Sequence, residues 1–301
     1  MPSYTTYVTT WGNNPLDQVK DMAAKNVLQS NTRVVLAFAS FNFVSTSYIP
    51  GIDGDLTLSD IEQITSFVHS AGAKISLSIG GATYPFTGSS LYSQPGLLAS
   101  NINQMLLTCG FDGVDFDMED YFGSVPSDFV NQAASLINTL RSLNSGLYIT
   151  LTTAAQAWST GCYQQNLLNL TIGNINAWQP MEYDLWIQSG STYADQIQWD
   201  LNYYLNTWQV APSKIILGLM PGPDDMGHDL TLQSALNLTT VAQTAKLQGV
   251  MTWDADIDSA GPDGNAPYAY SLGIQSLLNT NITLMASHHA IVHSLKKRRL
   301  L

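Results

Sequence analysis

The sequence predicts an α/β protein built as one (β/α)8 TIM barrel. Eight short runs rich in β-branched and aromatic residues alternate with amphipathic stretches of helical length. No linker or low-complexity segment divides this alternation, and 301 residues suffice for one large barrel. A doubly wound open sheet is the alternative. It would normally carry a glycine-rich phosphate turn after its first strand, and TTWGNN at 9–14 is not such a turn.

Each repeat of the predicted barrel begins with a strand. The predicted strands cover residues 5–10, 33–39, 74–81, 111–120, 147–154, 175–183, 214–221 and 249–256. The predicted helices cover residues 15–27, 58–71, 95–108, 126–143, 163–172, 192–208, 231–246 and 267–279. The first helix begins at Pro15, which suits a first turn. In the second helix, Ile61 and Ile64 recur at helical spacing, and Ser59 with Glu62 gives a capping-box pattern.

The composition limits what the chain can bind. It has 11 Lys and Arg against 23 Asp and Glu, a net charge of −12. We expect no nucleic acid partner, because a phosphate-binding face needs clustered positive charge. No run of 18 apolar residues predicts a membrane span, and no Cys or His spacing predicts a metal. We therefore expect no cofactor and no membrane partner. We also expect a monomer.

A change in composition marks the end of the predicted domain. Residues 1–285 form the barrel domain, and residues 286–301 hold a basic run at 296–299. We interpret this tail as disordered or as an appended remnant, and a basic targeting or lipid-binding patch is the alternative. The first residues show no signal peptide, although three Asn-x-Ser/Thr triplets favour a secreted, extracellular protein.

Residues 112–120 carry the strongest chemical signal. Side chains of a strand alternate between its faces, so Asp115, Asp117 and Glu119 share one face. In a barrel this acidic face points inward and approaches the carboxyl-terminal mouth, where barrel enzymes hold their chemistry. Neighbouring carboxylates cannot all be ionised cheaply, so we expect one to be protonated and Asp117 and Glu119 to titrate together. This pattern predicts an acid–base site; a solvated acidic turn or a Ca²⁺ loop is the alternative.

Four motifs resemble those of one enzyme family. DGVDFDMED at 112–120 is similar to the Asp-x-x-Asp-x-Asp-x-Glu signature of glycoside hydrolase family 18, the chitinases. SLSIGG at 76–81 resembles its Ser-x-Gly-Gly motif, PMEYD at 180–184 its Met-x-Tyr-Asp motif, and MTWDAD at 251–256 its Trp-Asp segment. The motifs stand in the order typical of the family, and the resemblance spans most of residues 5–280.

The resemblance implies catalytic roles for four residues. Glu119 would be the general acid that protonates the glycosidic oxygen, and Asp117 would orient the N-acetyl group of the substrate. Asp115 would share a proton or a hydrogen bond with Asp117, and Tyr183 would donate a hydrogen bond to the acetamide carbonyl. Glycoside cleavage needs an acid of raised pKa beside a carboxylate that stabilises a cation, and these residue types meet that need.

The resemblance also implies residues that bind the substrate or support the site. Asp184 would bind the sugar in the cleaved subsite, and Trp253 would form the apolar floor beneath that sugar. Met181 joins this set, and Trp11 and Trp186 are candidates for other subsites because sugar faces pack on aromatic rings. The remaining residues expected near the site are Ser78, Gly80, Gly81 and Asp112. Taken singly, the glycines could be a strand-ending turn and the aromatic residues could be core.

Two departures from the family pattern bear on function. Asp120 follows Glu119 where the family often has an aromatic residue and Pro, and this extra carboxylate could raise the Glu119 pKa. Residues 222–248 leave room for a loop and one helix, so the α+β insertion of deep-cleft members is absent. We therefore expect an open groove and an endo-acting chitinase that hydrolyses chitin or chitooligosaccharides. An endo-β-N-acetylglucosaminidase acting on N-glycan cores and a non-enzymatic carbohydrate-binding protein are the alternatives.

Overall fold

The computed structural model describes residues 3–42, 56–120, 125–155 and 163–280. Its strands are β1 (Ser3–Thr9), β2 (Thr32–Ala39), β3 (Lys74–Gly80), β4 (Gly113–Met118), β5 (Tyr148–Ala154), β6 (Ala177–Met181), β7 (Ile216–Leu219), β8 (Gly222–Pro223), β9 (Asp229–Leu230) and β10 (Gly249–Thr252). Eight of them pair in parallel and close into a barrel in the order β1-β10-β7-β6-β5-β4-β3-β2. The predicted fold class is therefore confirmed. The predicted domain end at 285 and the tail at 286–301 lie outside the described residues.

All eight predicted helices are present, with ends shifted by a few residues. They are α1 (Pro15–Ala24), α2 (Leu58–Ser70), α3 (Pro95–Cys109), α4 (Phe129–Leu143), α5 (Gln164–Thr171), α6 (Tyr193–Asn206), α7 (Leu232–Thr244) and α9 (Ala269–Asn279), and a short helix α8 (Ala255–Ser259) follows β10. The last predicted strand, 249–256, is longer than the observed strand β10, which ends at Thr252. Asp254 lies beyond the strand and caps α8 by accepting a hydrogen bond from Ile257 N at 2.9 Å. None of the described helices is long and apolar enough to cross a membrane.

The start of α2 differs from its predicted capping box. Thr57 has extended backbone and is the N-cap; its hydroxyl accepts a hydrogen bond from Asp60 N at 3.2 Å, and Asp60 Oδ2 accepts one from Thr57 N at 2.9 Å. Ser59 already lies inside the helix, so its hydroxyl cannot serve as the cap. The prediction of Ser59 with Glu62 was wrong by two residues, because the sequence offers two overlapping capping-box patterns.

The strand faces separate an apolar layer from a polar interior. In β4, Val114, Phe116 and Met118 belong to the large core between barrel and helices. The opposite face of β4 carries Asp115 and Asp117, which are buried inside the barrel. Burial of each large apolar side chain stabilises the fold by about 1.5–3 kcal/mol, so the outer layer holds the register that directs the acids inward.

Only a hairpin and one helix separate β7 from β10. Strands β8 and β9 form this hairpin, pairing Gly222 with Leu230 and Pro223 with Asp229, and α7 follows directly. The expected absence of an α+β insertion is confirmed as part of the fold. The hairpin instead places its own short loop beside the carboxyl-terminal end of β6.

Candidate active site

A cavity of about 550 Å³ opens at the carboxyl-terminal ends of the barrel strands. It lies where β4, β6 and β10 end, so residues that follow these strands form its walls. The predicted site residues that line it are Asp117, Glu119, Met181, Tyr183, Asp184, Trp253 and Trp11. Tertiary structure thus brings together motifs that are more than 130 residues apart in sequence.

Asp115 lies at the base of this site, completely buried in β4. Five side chains donate hydrogen bonds to its two oxygens at distances of 2.7 to 3.3 Å. The donors are Tyr7, Ser78, Thr150, Thr152 and Gln179. Donors that converge on a carboxylate favour its charged form. Asp115 is therefore held in one position by five donors beneath the cavity.

Asp117 lies one strand step above Asp115 and has the opposite surroundings. Its side chain is 2% exposed, and within the described part of the chain no hydrogen-bond donor meets its Oδ1. Burial, together with the nearby charges of Glu119 and Asp115, raises its pKa well above the ordinary value. A raised pKa favours the protonated form of a carboxyl group, and Oδ1 of Asp117 keeps an unused capacity to accept a hydrogen bond.

Glu119 stands just beyond the last residue of β4 and is half-buried at the cavity wall. Burial and the neighbouring Asp184 raise its pKa to about 7, although a hydrogen bond from the backbone N–H of Ala82 opposes the shift. An acid with a pKa near neutrality can hold a proton at working pH and release it in a reaction.

Gly80 and Gly81 bring the end of β3 against β4. Gly80 has a φ of 120°, and a Cβ there would lie 2.0 Å from the carbonyl oxygen of Asp117. Gly81 has a φ of 74° and donates its N–H to that same oxygen at 2.9 Å, while a Cβ would lie 2.6 Å from the Phe38 ring. Both glycines thus shape the site through the backbone, and the next residue offers its N–H to Glu119.

Aromatic rings form one side of the cavity. Trp253 follows β10 and stacks on Phe38 from β2, with ring centroids 5.5 Å apart and planes inclined by 18°. Trp11 stacks on the same phenylalanine at 5.7 Å and 21°, and it is 52% exposed. Tyr7 packs beneath Trp253 at 5.3 Å. The three stacked rings give a continuous apolar surface of the type that the C–H faces of sugars cover.

The end of β6 forms the opposite wall. Met181 and Tyr183 line the cavity. Burial raises the pKa of the Tyr183 hydroxyl far above its usual range, and the nearby charge of Asp117 adds to this shift. The hydroxyl therefore stays protonated and can donate a hydrogen bond. Asp184 adopts a φ of 54°, and its backbone N–H donates to Asp224 Oδ2 at 2.8 Å. Asp225 from the hairpin loop lines the cavity beside it.

Three predicted residues lie elsewhere. Asp112 stands at the opposite, amino-terminal end of β4, where it binds Lys74, His69 and Ile75 N at 2.8 to 2.9 Å, so its expected place near the site was wrong. Ser78 is completely buried and touches Asp115, which makes it a support beneath the site and no substrate contact. Trp186 is 65% exposed and lies outside the described cavity lining.

The expected effect of Asp120 on Glu119 also needs correction. The Asp120 carboxylate turns away from the cavity and accepts hydrogen bonds from Phe86 N at 3.1 Å and from Thr87 N at 2.9 Å. These hydrogen bonds connect the loop after β3 to the end of β4. The raised Glu119 pKa comes from burial and from Asp184.

Several site residues escaped the sequence analysis. Tyr7 shares the inward face of β1 with Thr5 and Thr9, and this alternation was the signal that could have placed it inside the barrel. The sequence held no comparable signal for Phe38 or Asp225. A single phenylalanine in a strand is expected to belong to the core, and an acidic residue in a loop is expected to face solvent. Within the described residues, no group of three or more His, Cys, Asp or Glu could hold a metal ion.

Comparison with known proteins agrees with this geometry. A barrel whose mouth holds a near-neutral acid, a buried carboxyl group and an aromatic floor has the site of a glycosidase. The family model for glycosyl hydrolases family 18 matches residues 3–222, and the chain belongs to this family. No curated protein sequence matches the chain significantly.

Solved structures of chitinases share the fold. Active domain 2 of the thermostable chitinase from Pyrococcus furiosus, a catalytic-site mutant complexed with chito-oligosaccharides, is 17% identical with a TM-score of 0.73, and the match covers 93% of this chain and 97% of that one. A family 18 chitinase from Pseudoalteromonas aurantia is 23% identical with a TM-score of 0.70, covering 92% and 98%. The Ostrinia furnacalis Group IV chitinase in complex with allosamidin is 18% identical with a TM-score of 0.70, covering 92% and 99%.

Proposed function

We propose that this protein is an endo-acting chitinase that hydrolyses β-1,4 bonds between N-acetylglucosamine units with retention of configuration. One observation carries the proposal: Asp117, whose buried Oδ1 meets no donor among the described residues, lines the same cavity as Glu119, Tyr183 and Trp253. A buried acceptor without a donor costs free energy unless a ligand supplies the hydrogen bond. The N–H of a substrate acetamide is a donor suited to that place.

The first step of the proposed reaction uses the acetamide as the nucleophile. Glu119 delivers its proton to the glycosidic oxygen, and the bond from the anomeric carbon to that oxygen breaks as the leaving sugar departs. The acetamide carbonyl oxygen forms a new bond to the anomeric carbon, which gives a bicyclic oxazolinium ion. Asp117 holds the acetamide N–H, Tyr183 orients the carbonyl, and the acidic side chain of Asp115 lies beneath the cavity in which the cation forms.

The second step returns the enzyme to its starting state. Water enters from the face that the leaving group vacated, and Glu119 takes its proton while the water oxygen bonds to the anomeric carbon. The bond to the acetamide oxygen breaks, and the acetamide is restored. Two inversions give net retention. Asp117 lies one strand step below Glu119, a depth that suits holding the acetamide better than attacking the anomeric carbon.

The short β7–β10 connection supports endo cleavage. Without an inserted domain above the cavity, a long chain can lie across it and be cut internally. The solved chitinase structures named above, two of which hold chito-oligosaccharides or allosamidin, agree with a chitin-type substrate. A non-enzymatic binding role is disfavoured, because Glu119 is present at the cavity with a pKa near 7.

Digestion of chitin oligosaccharides tests the proposal. We expect internal cleavage products by mass analysis and the β-anomer first in proton NMR of fresh digests, with inhibition by a thiazoline analogue of N-acetylglucosamine, which resembles the oxazolinium ion. Initial α-anomer would exclude the mechanism. Faster cleavage of a high-mannose glycopeptide would instead identify the N-glycan endoglycosidase, and equal hydrolysis of fully deacetylated chitosan would remove the roles given to Asp117 and Tyr183.

A further inference from the structure

Asp184 has an uncommon backbone conformation just beyond the end of β6. Its φ is 54°, in the left-handed region that residues other than glycine seldom adopt. Asp184 lines the cavity together with Glu119. A backbone of this kind persists only where neighbouring groups fix it. The hydrogen bonds of Asp184 therefore identify the residues that set the position of its carboxylate.

The hairpin between β8 and β9 binds both the backbone and the side chain of Asp184. The backbone N–H of Asp184 donates to Asp224 Oδ2 at 2.8 Å. In the opposite direction, the backbone N–H of Asp225 donates to Asp184 Oδ1 at 2.8 Å. Two consecutive residues of one loop thus fix the main chain and the carboxylate of Asp184.

Asp224 is a buried acceptor inside this hairpin. It is 6% exposed, and its Oδ1 accepts hydrogen bonds from Met226 N at 3.1 Å and from His228 N at 2.8 Å. Besides Asp184, the titratable groups described around its carboxylate are His228, whose Nδ1 lies 3.4 Å from Oδ2, and the hydroxyl of Tyr193. One oxygen of Asp224 therefore shapes the loop, and the other meets Asp184.

Asp184 acts on the proton donor of the proposed reaction through its charge. Burial raises the pKa of Glu119, and the nearby Asp184 adds to this shift. The other titratable groups described as interacting with Glu119 are Asp117 and Tyr183, which lie deeper in the barrel. If Asp184 left its position, its charge would move away from Glu119, and the interaction would weaken with distance.

We propose that Asp224 is a positioning residue, which keeps the Asp184 carboxylate at the cavity wall that Glu119 shares. This inference rests on the proposed function, in which Glu119 is the proton donor. Without the bond to Asp224, the backbone of Asp184 relaxes to the common right-handed or extended region, and its carboxylate leaves this wall. Asp224 is not among the described residues that line the cavity, so it acts through Asp184.

Asp224→Asn separates the two functions of this carboxylate. An amide has one acceptor oxygen, and we expect it to stay with the N–H groups of Met226 and His228, because that side offers two hydrogen bonds. The amide nitrogen only donates, so it cannot accept from the N–H of Asp184. The variant therefore removes the bond to Asp184 and leaves the bonds that shape the loop.

Asp258→Asn is the matched control. Asp258 is completely buried in α8, and its carboxylate accepts hydrogen bonds from Tyr270 N at 3.1 Å and from Ser271 N at 2.8 Å. It lies outside the described cavity lining. Both variants replace a buried carboxylate that accepts from backbone N–H groups, so we expect similar losses in melting temperature.

The titration of Glu119 is the main measurement, and it needs no substrate. The chain has three glutamates, Glu62, Glu119 and Glu182, so ¹³C labelling of glutamate carboxyl groups gives few NMR signals. The signal that disappears in Glu119→Gln belongs to Glu119. We expect Glu119 to titrate roughly 0.3 to 1 pH unit lower in Asp224→Asn than in the wild type, and at the wild-type pH in Asp258→Asn.

A double-variant cycle tests whether Asp224 acts through Asp184. Asp184→Asn alone should lower the pH at which Glu119 titrates, and adding Asp224→Asn should cause no further shift. Shifts that add up in the double variant would overturn the inference. So would an unchanged titration in Asp224→Asn or an equal shift in Asp258→Asn, because either result leaves Asp224 with a role in the fold alone.

Hydrolysis of chitin oligosaccharides separates this inference from the proposed function. In Asp224→Asn, kcat/KM should fall roughly three- to tenfold and its alkaline limb should move to lower pH, whereas Asp258→Asn should change neither. A shifted Glu119 titration in a protein that cleaves no chitin oligosaccharide would refute the chitinase and keep the role of Asp224. Hydrolysis by the wild type, with the Glu119 titration unaltered in Asp224→Asn, would refute that role and leave the chitinase proposal intact.

Discussion

The hydroxyl of Tyr7 in β1 donates to Oδ2 of Asp115 in β4 at 2.8 Å, across the barrel and across 108 residues of sequence. The two strands are not neighbours in the sheet, so the bond crosses the barrel interior. It belongs to the array of five donors that holds the Asp115 carboxyl group in place beneath Asp117. Tyr7 is not among the described residues that line the cavity, so we expect it to act on the acid–base residues through Asp115.

Tyr7→Phe should lower kcat about tenfold or more with little change in KM, because a hydrogen bond to a buried charge is worth ~1.5–3 kcal/mol. Tyr4→Phe is the matched control. Tyr4 is also completely buried in β1, but its hydroxyl contacts Thr252 and Ser271 on the outer side. Both variants should lose stability to a similar extent. Equal activity losses in the two would show that Tyr7 acts only through the fold.

Glu119→Gln should fold normally and lose ~10²- to 10⁴-fold in kcat, because the amide keeps the shape but carries no transferable proton. Asp120→Asn is the control, since its carboxylate binds Phe86 N and Thr87 N outside the cavity. It should lower the melting temperature and leave most activity. Turnover within threefold of wild type for Glu119→Gln would remove Glu119 from the acid role.

The rate should fall on the alkaline side near pH 7. Glu119 must be protonated to act as the acid, and its pKa is raised to about 7, so activity is present below this pH and is lost as the proton leaves. Asp184 contributes to the raised value, so Asp184→Asn should move the alkaline limb of the kcat/KM profile to lower pH. A limb that stays in place in this variant would exclude the electrostatic link between the two residues.

Trp11→Ala should raise KM for long oligomers more than for short ones, because Trp11 extends the aromatic surface beyond Trp253. Trp253→Ala should impair substrates of every length. Trp199→Ala on the exposed face of α6 is the control, and it should change KM neither for long oligomers nor for short ones. If Trp11→Ala shows the same loss for all chain lengths, Trp11 supports the fold of the cavity and is no separate subsite.

Asp256→Asn should reproduce part of the Trp11→Ala effect. Asp256 accepts hydrogen bonds from Thr9 Oγ1 at 2.6 Å and from Asn13 Nδ2 at 2.7 Å, and a Cβ on Gly12 would lie 2.4 Å from its carboxylate. These contacts fix the loop that carries Trp11. Kinetics over a chain-length series would show a several-fold rise in KM for long oligomers only. Wild-type kinetics throughout would show that the loop holds its position without Asp256.

Much of the site could be read from the sequence because its signals are local. Alternation in β4 placed Asp115 and Asp117 inside and the apolar residues outside, since a strand has a period of two. Asp112 does not lie where the motif predicts it. It lies just before the strand begins, at the far end of the barrel, so membership in the motif did not mean proximity to the cavity.

The sequence by itself determined the barrel and the acidic face of β4. It also placed the site at the ends of β6 and β10. Both results depend on periodicity and on strand ends, which are properties of neighbouring residues. Only the tertiary structure decided which carboxyl group is surrounded by hydrogen-bond donors. Asp115 and Asp117 are two positions apart and chemically identical, but Asp115 meets five donors from β1, β3, β5 and β6, and Asp117 Oδ1 meets none within the described residues. Those donors come from distant segments, so their convergence exists only once the barrel has closed.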